Sequence, residues 1–329
     1  MIYYVTGATG FLGGRVVEKL LENGERVIAF GRNIDELKRL EALGANYVGA
    51  ELTDRRALVE TIPEGACVIH CAALSSPWGR EKSYFKSNVL GTQLIASVAL
   101  EKKVERFIHI STPSIYVDLG SRENIRESDP LPGQMINTYA KTKLQAEHLI
   151  DQYVEMGLPA ITLRPQGIFG PRDTAIVPRL IRVARKGFIP VMNADAMIDL
   201  TYVDNVVEAI LCAVRAPETC IGGKYNITNG EPVNQVKTLE YLLTEMGYPV
   251  KRRIFEVATA LKIAGLLEWA YRKFPIKGEP ILTRYSVCTL AYTRTLSIER
   301  AQKELGYQPV VSMNDGLKRT IQWFSRSGS

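Results

Sequence analysis

Tyr139 and Lys143 lie four residues apart in the segment NTYAKTKLQAEHLI, which has the apolar periodicity of an amphipathic helix. Four-residue spacing places both side chains on one helix face, one turn apart. A phenol with a pKa of about 10 is a poor acid–base catalyst at neutral pH, and a nearby ammonium favours the phenolate and brings that pKa toward neutrality. The pair therefore predicts acid–base chemistry, although an exposed tyrosine–lysine pair has the same spacing.

A hydroxyl side chain, Thr112, follows the strand-like run RFIHI, with Ser111 directly before it. At the C-terminal end of a strand, the Thr112 hydroxyl can bond a substrate oxygen as negative charge develops there. With a hydride donor, this set would interconvert a ketone and an alcohol. Tyr139 would give the oxygen its proton in reduction, Thr112 would orient the oxygen, and oxidation would be the reverse.

A glycine-rich segment, VTGATGFLGG, follows the first strand-like run and opens the first helical pattern. Its G-x-x-G-x-x-G spacing allows a tight turn, close approach of the backbone to a pyrophosphate, and close helix–sheet packing. The helix N-terminus presents N–H groups and the positive end of its dipole to the phosphates. We expect these loop residues to bind a dinucleotide: Gly7, Thr9, Gly10, Phe11, Leu12 and Gly13.

The second strand-like run ends in GRN, so that Gly31 stands at the strand end with Arg32 beside it. A carboxylate there would bond the ribose hydroxyls and repel a 2′-phosphate. The missing acid and the added guanidinium favour NADP(H), with NAD(H) and a simple surface arginine as the alternatives. Glu51 and Leu52, after the third strand, are placed to border the adenine ring.

The elements that must position these residues alternate between short apolar runs and helical patterns, which predicts βαβ units. We therefore expect an α/β fold, a doubly wound parallel Rossmann sheet with a smaller C-terminal substrate-binding lobe. Residues 1–170 would form the dinucleotide-binding domain and residues 171–329 mainly the lobe, with some later segments returning to the sheet. The strand-like runs are IYYVT, RVIAFG, NYVGA, CVIHCAA, RFIHIS and PAITLRP.

The composition is that of a soluble globular protein, with 46% hydrophobic and 23% charged residues. A net charge of +6 without a basic run argues against nucleic-acid binding. The five cysteines have no zinc-type spacing and the three histidines do not cluster, so we expect no metal centre. No signal peptide is visible before the first strand, which predicts a reduced, cytoplasmic compartment.

Taken together, the motifs resemble those of extended short-chain dehydrogenases/reductases of the epimerase/dehydratase superfamily, a group that includes nucleotide-sugar epimerases and 3β-hydroxysteroid dehydrogenases. The resemblance is carried by TGATGFLGG, HCAA, SNVLGT, HISTPSIY, YAKTK, LRPQGIFGP, TYVDNVVEAI and LSIERAQKELGYQP. It implies that Thr112, Tyr139 and Lys143 are catalytic, that Lys143 also bonds the nicotinamide ribose, and that Asn88 supports the site. It further implies cofactor contacts from Ser111, Ala72, Ala73, Pro165 and Ile168.

The choice of reaction depends on positions where the family varies. Dehydratase members carry acidic residues just after the catalytic threonine, whereas Pro113 and Ser114 stand here. The segments 72–79 and 257–274 resemble the 3β-hydroxysteroid dehydrogenase-like branch, which also contains reductases of long-chain 2-alkyl-3-keto acids. We predict an NADP(H)-dependent oxidoreductase acting on a β-keto or β-hydroxy group of an apolar substrate, with or without a carboxylate. A nucleotide-sugar epimerase with tightly bound NAD is the alternative.

Segment 257–274 is too short and too interrupted by polar residues to span a bilayer. A core-packed helix, a lid over an apolar substrate and a helix on a membrane surface are all compatible with it. The resemblance implies a homodimer through a helix bundle that includes the Tyr139 helix. The predicted substrate-side residues are Ser75, Trp78, Ser114, Tyr202 and Arg284, the last as a carboxylate partner or a surface arginine.

Overall fold

The computed structural model describes residues 1–274, 276 and 278–327. The strands in chain order are β1 (Ile2–Thr6), β2 (Arg26–Gly31), β3 (Asn46–Gly49), β4 (Cys67–His70), β5 (Arg106–Ile110), β6 (Arg122–Ile125), β7 (Ala160–Pro165), β8 (Ile168–Phe169), β9 (Phe188–Val191), β10 (Met197–Ile198), β11 (Thr201–Tyr202), β12 (Lys224–Ile227), β13 (Val233–Asn234), β14 (Lys251–Ile254) and β15 (Arg294–Leu296).

The α-helices are α1 (Phe11–Glu22), α2 (Ile34–Glu41), α3 (Arg55–Thr61), α4 (Glu81–Tyr84), α5 (Gly91–Glu101), α6 (Thr138–Glu155), α7 (Ile176–Ala184), α8 (Val203–Arg215), α9 (Gln235–Glu245), α10 (Val257–Lys273), α11 (Arg284–Ala291) and α12 (Met313–Ser327). Short 3-10 segments are Pro113–Tyr116 and Glu218–Cys220, and π-helical segments are Phe85–Leu90 and Ala301–Leu305.

The centre of the molecule is a seven-stranded parallel sheet in the order β12-β7-β5-β4-β1-β2-β3. Strands β4 and β7 are buried along their whole length, because helices cover both faces of the sheet. Val17 of α1 and Ile210 of α8 lie in the apolar cluster on one face, and Ile95 of α5 and Ile150 of α6 lie in the cluster on the other. The predicted doubly wound Rossmann sheet is confirmed.

All strands of this sheet run in one direction, so their C-terminal ends meet at one edge. The glycine loop follows β1, residues 71–80 follow β4, and Ser111 and Thr112 follow β5 at that edge. Strand β1 lies between β4 and β2, where the strand order reverses. Ligands of open α/β sheets bind in the crevice at such a point.

Strand β12 is not among the strand-like runs of the sequence, because KYNI is a short segment with two polar residues. The strand is four residues long and pairs with β7, where Tyr225 lies opposite Leu163. A smaller sheet, β13-β10-β15-β6, and the pairs β11-β8 and β14-β9 complete the later part of the chain. Helix α8 and strand β12 pack on the central sheet, so these later segments return to it.

Helix α10 buries only a narrow stripe of its surface, formed by Ala260, Ala264 and Glu268. This stripe packs on Val287 of α11 in a small apolar cluster, whereas Ile263, Leu266 and Trp269 on the other side of the helix are exposed. None of the helices in the described part of the chain has the length and apolar character that crossing a membrane requires.

Candidate active site

Helix α6 carries Tyr139 and Lys143 and begins at a side-chain cap. Asn137 precedes the helix in extended conformation, and its Oδ1 accepts a hydrogen bond of 2.8 Å from the Ala140 N–H. This bond satisfies one of the N–H groups that a helix leaves unpaired at its start. Tyr139 therefore lies in the first turn of the helix, where the cap fixes the backbone.

A buried ion pair anchors α6 to the central sheet. The Glu147 carboxylate, one turn beyond Lys143, accepts bonds of 3.0 Å and 2.6 Å from the Arg164 guanidinium of β7. The Ser111 hydroxyl donates to the same carboxylate at 2.5 Å, and Arg164 also bonds the Tyr116 hydroxyl. Because all four side chains are buried, this network holds α6 in register with the ends of β5 and β7.

Lys143 is a buried side chain whose Nζ donates to the Ile110 carbonyl at 2.6 Å and lies 3.5 Å from His109 Nε2. Burial lowers the pKa of Lys143 to about 8, and the Glu147 carboxylate opposes that shift. Near neutral pH the side chain is therefore largely an ammonium, held at the end of β5.

Burial raises the pKa of Tyr139 to about 12, and a hydrogen bond with Thr112 opposes the shift. The expected lowering of this pKa by Lys143 is wrong. The reason is that burial of the Tyr139 phenol raises its pKa more than the surrounding groups lower it. The Lys143 ammonium is turned toward the Ile110 carbonyl. Tyr139 is consequently a neutral phenol at pH 7, and so a proton donor.

A row of hydroxyl groups extends from Thr112 across the site. The Thr112 hydroxyl lies 3.1 Å from the Ser114 hydroxyl, which in turn lies 3.0 Å from the Tyr285 hydroxyl of α11. The Ser114 N–H also donates to Thr112 Oγ1 at 3.2 Å. Sequence reasoning missed Tyr285 and selected its neighbour Arg284, because nothing in the local pattern distinguishes them.

Asn88 lies in the π-helical segment and is fully buried. Its Oδ1 accepts from the Leu74 N–H at 2.7 Å, and its Nδ2 donates to the Leu74 carbonyl and to Thr142 Oγ1, each at 3.1 Å. Thr142 precedes Lys143 on α6. Asn88 therefore ties the loop after β4 to the helix that carries Tyr139, which is a positioning role.

The glycine loop has the shape that a pyrophosphate needs. Gly7 has φ of +67°, and a Cβ there would lie 2.7 Å from the Ala72 N atom. A Cβ on Gly13 would lie 2.2 Å from the Gly7 carbonyl oxygen, so close packing requires glycine at both positions. Gly10 caps α1 without a side-chain bond, and the first turn carries no acid. The N–H groups in the first turn of α1 are therefore free and electropositive, and they fit a dinucleotide phosphate.

The remaining loop residues have packing contacts. A Cβ on Gly31 would lie 2.7 Å from Thr9 Cγ2, so a larger residue at the end of β2 would require the Thr9 side chain to move. Phe11, Leu12 and Ile168 pack against the apolar cluster that contains Phe169 and Tyr202. Ala72 and Ala73 follow β4, and Pro165 ends β7, which places all three at the crevice edge.

On the adenosine side, Arg32 is exposed beyond the end of β2. Glu51 forms an exposed ion pair of 2.6 Å with Lys86, which lowers the pKa of Glu51, and Arg32 adds to that effect. The Leu52 side chain packs against Gly91 at the start of α5, since a Cβ there would lie 2.5 Å from Leu52 Cδ2. The edge is therefore mixed in charge, and Arg32 directly follows the last residue of β2.

The predicted substrate-side residues lie in different parts of the structure. Ser75 is exposed in the loop after β4, and the Trp78 ring meets Tyr271 of α10 edge-on at 6.3 Å. Tyr202 is buried against Phe169 in the C-terminal apolar cluster, with ring centroids 5.6 Å apart.

Arg284 does not offer an unpaired charge to a substrate. Its guanidinium pairs with the buried Glu268 carboxylate at 3.1 Å, and its backbone N–H donates to the same group at 2.8 Å. Within the described ranges, no group of three histidine, cysteine or acidic side chains lies close enough to hold a metal ion.

Comparison with known proteins identifies a matching family and similar relatives. Residues 3–228 match the family described as NAD dependent epimerase/dehydratase. The chain is 35% identical over 334 residues to the uncharacterized protein YbjS of Escherichia coli K12, with 98% of each chain covered. It is 32% identical over 321 residues to the 2-alkyl-3-oxoalkanoate reductase of Stenotrophomonas maltophilia, covering 96% of this chain and 97% of that protein.

The crystal structure of UDP-glucuronic acid 4-epimerase from Bacillus cereus in complex with NAD superimposes on the chain with a TM-score of 0.77. The two share 22% sequence identity, and the match covers 99% of this chain and 97% of that one. At this identity the likeness is one of fold.

Proposed function

This chain belongs to the NAD dependent epimerase/dehydratase family and is an NAD(P)-dependent enzyme of the short-chain dehydrogenase/reductase type; we propose that it is an NADP(H)-dependent reductase of β-keto groups. The proposed substrate is apolar, with or without a carboxylate, as a long-chain keto acid or a steroid-like compound is, and the reverse reaction would oxidise the β-hydroxy compound. The observation that carries this proposal is the neutral Tyr139 phenol beside the Thr112 hydroxyl.

The proposed chemistry divides between the cofactor and three side chains. A bound reduced dinucleotide would supply the hydride. Tyr139 donates its phenolic proton to the substrate oxygen, and Thr112 orients that oxygen by a hydrogen bond. The Lys143 ammonium, held at the Ile110 carbonyl, is the group available to a ribose hydroxyl.

The preference for keto-acid reduction rests on two features. Pro113 and Ser114 stand directly after Thr112, so the site has no acid there to promote elimination of water. The 2-alkyl-3-oxoalkanoate reductase to which the chain is similar acts, by its name, on a β-keto acid. Trp78 and Tyr271 supply aromatic surface beside the site for an apolar chain.

NADP(H) is the proposed cofactor because Arg32 is exposed beyond β2 and Gly31 replaces an acid. The packing of Thr9 against Gly31 supports this, since an acidic side chain at that position would require Thr9 to move. The guanidinium would bond the 2′-phosphate as a charge-assisted pair.

Three broader proposals accompany this function. The first is that the chain divides at residue 170 into a dinucleotide-binding part and a mainly substrate-binding part. A homodimer through α5 and α6 is supported by the exposed apolar residues Phe85 and Leu90 next to those helices. A cytoplasmic location is supported by the five free cysteines.

The test is NADPH consumption with a panel of β-keto acids, 3-ketosteroids and nucleotide sugars. We expect oxidation of NADPH with a 2-alkyl-3-keto acid and none with a nucleotide sugar. Conversion of a UDP- or dTDP-sugar without net cofactor use, by protein that retains NAD through purification, would establish the epimerase alternative instead.

A further inference from the structure

Helix α10 exposes large apolar side chains on the side away from its buried stripe. The exposed fractions are 50% for Ile263, 66% for Leu266 and 57% for Trp269. Exposed apolar patches on a folded chain mark surfaces of interaction. This side of α10 therefore has the character of a surface that a partner covers.

The exposed side of α10 has the residue spacing of a coiled-coil seam. Partly or fully exposed residues recur at alternating intervals of three and four, from the N-cap to the last residue of the helix. This alternation is the a/d pattern of a heptad repeat, by which two helices pack side chains of one into spaces of the other. In the order a, d, a, d, a, d, the residues of this seam are Glu256, Thr259, Ile263, Leu266, Ala270 and Lys273.

The seam is complementary to itself when two copies of α10 run antiparallel. About a two-fold axis midway between residues 264 and 265, each a position of one copy meets a d position of the other. Ile263 then meets Leu266 at the centre, and the acidic Glu256 meets the basic Lys273 at both ends. Parallel helices would instead bring Glu256 to Glu256 and Lys273 to Lys273, and such like-charge contacts disfavour association. Charge therefore selects the antiparallel pair.

The other residues of this side fit the same contact. Thr259 would meet Ala270, and these two short side chains allow the helix axes to approach closely. Lys262 and Trp269 are both exposed and lie on one flank of the seam, because seven residues are close to two helical turns. Equal flanks face each other in an antiparallel pair, so the Lys262 ammonium of one copy would reach the Trp269 ring of the other as a cation–π contact.

The Glu256 carboxylate is fixed at the start of the helix. Its oxygens accept bonds of 2.9 Å and 2.6 Å from the Ala258 and Thr259 N–H groups. The residue is exposed, and a carboxylate can accept further bonds, so Glu256 is also available to an ammonium of a second copy.

The contacts of α10 with the rest of its own chain lie outside the seam. Tyr271 meets the Trp78 ring edge-on, and the Arg272 guanidinium lies 5.6 Å from the centre of that ring. Glu268 is buried and holds Arg284. A second copy at the seam would therefore displace none of these contacts.

We propose that α10 is a self-association surface, at which two copies of this chain pack their helices antiparallel about a two-fold axis. The surface is separate from the proposed homodimer contact through α5 and α6, so both contacts together would assemble four chains. The proposal concerns assembly and does not depend on the proposed reaction.

The first experiment is cross-linking of the full-length Thr259→Cys/Ala270→Cys variant under mild oxidation. Along one helix these positions lie about 16 Å apart, whereas a disulfide needs Cα atoms within about 7 Å, so the two thiols cannot join within one chain. We expect a covalent dimer on a non-reducing gel. The two single variants and the wild type are the matched controls and should stay uncross-linked, because each of these positions faces the other one across the axis.

The second experiment reverses the charges at the ends of the seam. Lys273→Glu should weaken self-association by about tenfold or more in sedimentation velocity, because it sets two acids against each other at both ends. The double variant Glu256→Lys/Lys273→Glu should recover most of that loss. Leu266→Asp should weaken association by about 100-fold or more, because it buries two carboxylates at the centre.

The control for these variants is Leu43→Asp, which alters an exposed leucine in the turn between α2 and β3. It should associate as the wild type does, and circular dichroism should show that all variants are folded. Leu90→Asp separates the two proposed contacts, since it should remove only the contact through α5 and α6 and leave the cross-link at α10.

Failure of the Thr259→Cys/Ala270→Cys variant to cross-link would overturn the proposal, as would equal cross-linking of the single variants. Unchanged association of the folded Leu266→Asp variant would also overturn it. If the wild type did not self-associate but floated with phosphatidylglycerol vesicles, and Leu266→Asp did not float, the surface would belong to lipid and the proposal would be wrong.

Discussion

The hydroxyl groups of Ser114 and Tyr285 lie 3.0 Å apart, although 171 residues separate them in the chain. Ser114 stands beside Thr112 at the end of β5, whereas Tyr285 belongs to α11. This contact brings a phenol from the later part of the chain to a hydroxyl that is itself hydrogen-bonded to Thr112, the residue proposed to orient the substrate oxygen. Tyr285 is therefore the outer member of the hydroxyl row that begins at Thr112.

Replacing Tyr285 with phenylalanine removes the outer end of the hydroxyl row. We expect kcat/KM for the keto substrate to fall by about 2–10-fold, mainly through KM, because one uncharged hydrogen bond is lost. Steady-state kinetics would measure the change, with the exposed Tyr241→Phe of α9 as control. A change smaller than twofold would remove Tyr285 from the site.

Tyr139→Phe should lower kcat for reduction by about 10²–10⁴-fold, because the proton donor is absent. Binding of NADPH, measured by fluorescence, should remain, since the glycine loop is untouched. Tyr153→Phe alters another phenol on the same helix and should leave kcat unchanged. Equal activity of Tyr139→Phe and the wild type would show that another group gives the proton.

Lys143 should make stability depend on pH. Its pKa is about 8 in the folded protein against a usual value of 10.5, so the unfolded chain binds more protons between these values. The free energy of unfolding should therefore rise across this window, by about 3 kcal/mol relative to Lys143→Met. Denaturant titrations of both proteins from pH 7 to pH 11 would measure the difference, and a constant difference would contradict the prediction.

Arg32→Ala should weaken NADPH binding by about tenfold and leave NADH binding almost unchanged, because the lost interaction is with the 2′-phosphate. Isothermal titration with both cofactors would measure the two Kd values. Arg26→Ala removes an exposed arginine from the other end of β2 and serves as control. Equal affinity of the wild type for NADPH and NADH would refute the cofactor assignment.

Breaking the buried Glu147–Arg164 pair should strongly destabilise the folded protein. Arg164→Met leaves the Glu147 carboxylate buried without its partner and should destabilise the protein by about 3–5 kcal/mol. The exposed Arg56–Glu60 pair of α3 provides the comparison, since Arg56→Met should cost less than about 1 kcal/mol. Similar losses from the two substitutions in thermal unfolding would contradict the anchoring role of Glu147.

Most of the central sheet was predictable because β1, β2, β4, β5 and β7 are apolar runs that are largely buried. IYYVT, RVIAFG and RFIHIS each signal a strand without reference to the rest of the chain. Strand β12 was not predictable in this way, since KYNI is short and lies between turns. Its pairing with β7, which only the folded chain provides, makes it a strand.

The sequence by itself determined the glycine loop and the helical spacing of Tyr139 and Lys143, because both depend on residues close together in the chain. Only the tertiary structure decided the protonation of Tyr139, the pairing of Arg284 with Glu268, the contact of Tyr285 with Ser114 and the exposure of α10. Each of these depends on which distant segments exclude water from a group, and burial and long-range contacts are not encoded in any local pattern.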